Sequence, residues 1–121
     1  MCIKGYNAGA GVNQYRIAKF GSSDGVVIQG AAATDSLIGV FDIPAAAVSG
    51  NRVDVVRNGF CQVEYGGTVT RGDLLTSDSV GRAVTAAPSA GVNNRVVGTA
   101  EVSGVVGDIV FMYVSCGSVQ G

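Results

Sequence analysis

The chain has 121 residues and a formal net charge of −1, with 47% hydrophobic and 14% charged residues, nineteen glycines and no histidine. That length fits one domain, and the composition excludes intrinsic disorder. The near-zero charge argues against nucleic-acid binding, which works by neutralising phosphates, and the missing histidine removes the usual proton shuttle and the commonest metal ligand.

Soluble domains commonly carry about 25% charged residues. The shortfall here points either to a surface partly covered in use or to a compact protein coated with Ser, Thr and Gly. Residues 1–14 are polar, small and Gly-rich, which predicts an extended N-terminal arm ahead of a single domain over 15–121. Tyr15-Arg16-Ile17-Ala18-Lys19-Phe20 alternates as a strand does, residues 21–25 turn, and Val26-Val27-Ile28-Gln29 is a short β-rich run. Leu37-Ile38-Gly39-Val40-Phe41 follows, where Gly39 predicts a bulge or a close backbone approach. Pro44 to Val48 fits one helical turn at most.

Arg52 to Arg57 alternates with Val53 and Val55 inward. Asn58-Gly59 then reads as a turn, and Phe60 to Tyr65 alternates with Cys61, Val63 and Tyr65 on one face. Gly66-Gly67 reads as a two-residue hairpin loop, and Arg71-Gly72-Asp73 as a bend. Short strands are predicted at 74–76, 82–85 and 95–102. The most apolar run, Asp108 to Val114, predicts a strand covered on both faces. Short strands, turns about every ten residues and no helix of ordinary length define an all-β chain, a small Gly-rich barrel or sandwich. No fixed-period repeat stands out.

Catalytic constellations are absent. Asp24, Asp42, Asp73, Asp78 and Asp108 sit where turn-capping carboxylates belong. Cys2, Cys61 and Cys116 have neither zinc nor redox spacing and no evident activating partner, so no metal, no cofactor and no catalytic residue is expected. Cys61 and Cys116 read as small hydrophobes in strands, which suits assembly in a reducing compartment. The six arginines form no basic cluster, so no nucleic acid is expected as a partner. Neither a secretory signal nor an 18-residue apolar span is present, so no membrane contact is expected either. The tripeptide Arg71-Gly72-Asp73 also matches an integrin-binding motif, but its place between β runs reads as a structural turn.

Taken in order and spacing, Arg52-Val53-Asp54-Val55-Val56-Arg57-Asn58-Gly59, Val63-Glu64-Tyr65-Gly66-Gly67-Thr68-Val69-Thr70-Arg71-Gly72-Asp73-Leu74-Leu75-Thr76-Ser77-Asp78 and Gly81-Arg82-Ala83-Val84 resemble the capsid cement, or head decoration, proteins of tailed bacteriophages. The similarity continues through Ala100-Glu101-Val102-Ser103-Gly104 and Gly107-Asp108-Ile109 and reaches back to Thr34–Val40. It implies a β-tulip-like barrel that binds as a homotrimer to the major capsid protein. Binding would fall on the outer surface of the expanded head, at threefold and quasi-threefold sites, after assembly in the host cytoplasm. It would stabilise the shell against DNA pressure without enzymatic chemistry. For capsid contact the expected residues are Ile3, Tyr6 and Val12 of the arm and Arg71 and Asp73 of the bend. The alternatives are another virion subunit, from the tail or head completion, and an adhesion module.

Overall fold

The structure, a computed structural model, describes residues 2–88 and 90–120, apart from the side chains of 119 and 120. The described residues form nine strands: β1 Cys2–Ala8, β2 Ile17–Phe20, β3 Val26–Gln29, β4 Leu37–Phe41, β5 Arg52–Glu64, β6 Leu74–Ser77, β7 Ala83–Thr85, β8 Asn93–Ala100 and β9 Ile109–Gln120. No helix occurs among the described residues. The hydrogen-bonded order is β1-β3-β2-β4-β5-β9-β8-β6-β7, and β1 also pairs with β5, so the first five strands close into a barrel. Closure removes the open edges that make small sheets prone to aggregate. The all-β barrel expected from the sequence is therefore the fold observed.

β5 belongs to two rings. Its first half pairs with β1 and β4, and its second half pairs with β9. From β9 the sheet continues through β8 and β6 to β7. It returns to β5 through the parallel bridge Tyr65↔Ala83 and the Gly66 N–H bond to the Ala83 carbonyl at 2.8 Å.

The second ring repeats the first in register. Tyr6↔Val53 in the β1–β5 pair corresponds to Val63↔Val110 in the β5–β9 pair. Likewise Ile17↔Val40 corresponds to Leu74↔Thr99, and Phe41↔Val55 to Ala100↔Met112. The bridge Val12↔Ala47 has its counterpart in Val69↔Gly104. Gly39 and Gly98 occupy the same position: an added Cβ would overlap the Val56 carbonyl oxygen in one barrel and the Tyr113 carbonyl oxygen in the other. The chain is thus an internal structural repeat in which the second half of β5 serves the second barrel as β1 serves the first. The sequence expectation of no repeat is corrected here, because what repeats is backbone register and burial while few side chains are kept.

Each barrel has its own core. Tyr6, Val12, Val27, Phe41, Val53 and Val55 fill the first. Val63, Tyr65, Leu75, Val97, Met112 and Val114 fill the second, and Ile17, Leu37, Val40 and Val56 from the outside of the first barrel pack onto this same cluster. The barrels are therefore joined by an apolar seam. A polar clamp borders it: Glu64 lies 3.3 Å from Arg16 and 3.9 Å from Arg82, and Arg82 lies 3.1 Å from Asp78. Arg16 also donates to the Val80 carbonyl at 2.9 Å, which ties the turn after β6 to the first barrel.

Four local expectations are overturned. Residues 2–8 are no arm but a barrel strand, because Tyr6 and Ala8 bury their side chains while β1 pairs with β5 from Cys2 to Asn7. Asn58-Gly59 is not a turn. β5 runs through it, with Gly59 at φ 126° absorbing the irregularity as only glycine does cheaply. Gly66-Gly67 is not a tight hairpin loop, since neither glycine has positive φ. Residues 44–48 make a bend and a bridge rather than a helical turn. The close approach expected at Gly39 is present.

Candidate docking surface

β9 alternates as a barrel strand must: Met112 and Val114 point inward and are fully buried, while Ile109 and Phe111 face outward at 44% and 55% exposure. The expectation that both faces of this strand are covered therefore fails within the chain. Register places Phe111 opposite Gln62, Ile109 opposite Glu64, and Tyr113 opposite Phe60 on β5. The Phe60 and Tyr113 rings meet edge to face with centroids 5.1 Å apart, a contact that restrains both rings. Phe60 itself is 52% exposed.

The first barrel supplies an internal control. At the positions equivalent to Phe60, Ile109 and Phe111 stand Ile3, Arg52 and Asp54, and the Arg52 guanidinium lies over Gly5. One backbone frame thus carries a charged, solvated face in one barrel and an aromatic strip in the other. Exposed aromatics grouped on a rigid sheet mark interaction sites, whereas scattered apolar residues do not. Beside the strip a concavity of about 180 Å³ is lined by Tyr15, Phe41, Ile43, Phe60, Cys61 and Phe111, among others. Tyr15 reaches it from a left-handed conformation, φ 63°, at a turn position where the equivalent turns have Gly50, Gly72 and Gly107. Strain of this kind, of order 1–3 kcal/mol, is held only where the surroundings enforce it.

Cys61 gives the concavity no nucleophile. Burial, aided by the nearby Asp42 carboxylate, pushes its thiol up to about 12, so it stays protonated and unreactive at neutral pH. Cys116 is exposed on β9 rather than packed as a hydrophobe. Among the described residues no group of three or more Cys, Asp or Glu side chains is placed to hold a metal ion. Nor, among the described residues, is any helix long and apolar enough to cross a membrane.

Of the residues expected to contact a capsid, Val12 is buried in the first core at 1% exposure, and Tyr6 at 6% packs into the same core with its hydroxyl accepting from Arg57 beside an open groove that both residues line. Ile3 is exposed on β1. Asp73 spends its carboxylate inside the turn, accepting from the Thr70 N–H and the Thr85 hydroxyl at 2.9 Å each, while Gly72 takes φ 93° between it and the exposed Arg71. The Arg71-Gly72-Asp73 triplet is therefore built as a turn. Asp78 and Asp108 cap turns in the same way, whereas Asp24 and Asp42 accept no such bond among the described residues. Sequence reading missed Phe60, Ile109 and Phe111. The signal for them was there, in an apolar run too long for a strand with one wet face.

No protein-family model matches the chain, and no curated protein matches it in sequence. In fold it is similar to the head fiber gp8.5 N base of bacteriophage phi29, with a TM-score of 0.67 over 94% of this chain and 93% of that one, at 22% sequence identity. At that identity the likeness establishes a shared architecture, a nine-stranded all-β body built from two rings in this chain.

Proposed function

We propose that this chain is a structural protein of a phage head that works by binding rather than catalysis. The observation that carries this reading is the aromatic strip of Phe60, Ile109 and Phe111 on a frame whose other copy is charged. It is supported by the full-length fold similarity to a phage head fiber base and by the resemblance of the 52–109 segment to capsid cement proteins. The strip seats on the major capsid protein at threefold and quasi-threefold positions of the expanded head's outer surface, and the protein binds there as a homotrimer. The Phe60 ring, held edge to face by Tyr113, loses little side-chain entropy on docking, so more of its apolar burial is realised as affinity. A subunit that binds the expanded shell and not its precursor stabilises expansion by mass action, with no chemistry required.

Co-sedimentation with undecorated expanded heads and with unexpanded proheads tests the reading. Saturable binding to expanded heads alone is the expected result. Failure to bind either particle overturns it and favours a tail or head-completion subunit.

A further inference from the structure

The inter-barrel seam is a one-sided contact: the outer face of the first barrel covers the mouth of the second. Leu37 and Gly30 of the first barrel lie over Ser77, which an added Cβ at Gly30 would meet at 2.8 Å, and Ile17, Val40 and Val56 complete the cover. Beneath them, at inward-facing positions of the second barrel, are Val63, Ser77 and Val114, all buried, with Cys61 beside them.

The internal repeat presents each half of this contact once more, although Val96, the equivalent of Leu37, is already buried within the chain at 4% exposure. Opposite Leu37's barrel, the covering positions Ile17, Val40 and Val56 have Leu74, Thr99 and Tyr113 as equivalents on the second barrel, and Leu74 is 43% exposed. At the other end, the covered positions Cys61, Val63, Ser77 and Val114 have Lys4, Tyr6, Phe20 and Arg57 as equivalents on the first barrel. These line an open groove of about 410 Å³. Phe20 is 48% exposed there, under the Arg57 guanidinium at 5.6 Å, and Lys4 sits 5.1 Å from the Tyr6 ring centre. Among the described residues neither Lys4 nor Arg57 has a carboxylate within 4.0 Å, although Asp24 also lines the groove.

We infer that copies of this chain join head to tail, the Leu74–Tyr113 face of one covering the Lys4–Phe20 mouth of the next. The occupant is a second copy because the protein already makes this contact once within itself. Charge complementarity supports the match. Within the chain Asp42 sits close enough to Cys61 to help raise its thiol, and the equivalents of that pair across the new seam are Glu101 and Lys4, of opposite sign. Val102 and Ile3, exposed at 41% and 46%, are the equivalents of Ile43 and Phe60, which both line the intramolecular concavity. A heterologous contact of this sort closes into a ring when its rotation permits. Three copies close it under the homotrimer reading above, on which the number rests.

Sedimentation equilibrium on the full chain tests the seam. Glu101→Lys and Lys4→Glu should each weaken self-association by about tenfold or more, since like charges then face one another. The double variant Glu101→Lys/Lys4→Glu should restore it. Both side chains are exposed, so folding is expected to survive, and circular dichroism checks this. Self-association that none of the variants alters would overturn the seam while leaving the homotrimer intact. Single variants that weaken association without rescue in the double would also overturn it. A wild-type chain that is monomeric both free and on heads would remove the homotrimer as well.

Discussion

Single residues in this molecule are best understood by comparing a position with its equivalent in the other barrel. Lys4 and Cys61 share a position, yet one is exposed while the other is a half-buried thiol that desolvation keeps neutral. The Cys61 thiol has a measurable consequence. Its folded-state pKa, raised to about 12 from 9.0, means that above pH 9 the unfolded chain releases this proton while the folded chain keeps it. Stability from this group is complete below pH 9 and is lost as pH rises from there towards 12. Cys61→Val removes the titration, so urea unfolding should show the variant gaining on the wild type between pH 8 and pH 10.5. A constant difference across that range would mean the thiol is not buried as described. At the same scale the sequence was partly legible. The turn-capping roles of Asp73, Asp78 and Asp108 and the close approach at Gly39 follow from residue chemistry alone. The burial of Tyr6 and Val12 does not, because it depends on which strand lies opposite.

At the scale of elements, β1 and β9 show how local pattern and tertiary context diverge. Lys4-Gly5-Tyr6-Asn7-Ala8 has too few apolar residues and too much glycine to announce a strand, so it reads as an arm. β5 and β3 make it one by offering edges on either side. If β1 closes the first barrel, deleting residues 2–8 should abolish cooperative unfolding, because β5 loses its partner and the core loses Tyr6 and Ala8. An arm removed without effect on the denaturation midpoint would contradict this placement. β9 fails in the opposite sense. Its apolar run predicts cover on both faces, but Ile109 and Phe111 stand exposed, because a run of apolar residues does not say which face the rest of the chain will reach. Asn58-Gly59 misled for a third reason: the dipeptide permits a turn, and here the same positive φ lets a thirteen-residue strand cross from one barrel to the other.

For the whole molecule the decisive feature is that two barrels share one strand and one continuous apolar seam. Neither ring can be removed without breaking β5, and Ile17, Leu37, Val40 and Val56 belong to the first barrel in chain order but pack with the second core. Thermal unfolding should therefore be a single transition with equal calorimetric and van't Hoff enthalpies. Two resolved transitions would show that the barrels are separable and that the seam and the Arg16–Glu64–Arg82 clamp contribute little. The fold class was legible because turn spacing and strand composition are local properties. The repeat was not, since barrels constrain register and inward volume while leaving outward residues free, and outward residues are where the two halves differ.

The most direct measurement on the docking surface is the affinity for expanded heads of two matched variants. Phe60→Ser/Phe111→Ser strips the aromatic face, and Arg52→Ser/Asp54→Ser strips the charged positions in the other barrel. The first is expected to lose about 3 kcal/mol or more of binding free energy, as truncated aromatic anchors do, with its fold intact, and the second to bind like the wild type. Undiminished binding by the aromatic variant, or an equal loss in both, would contradict this expectation.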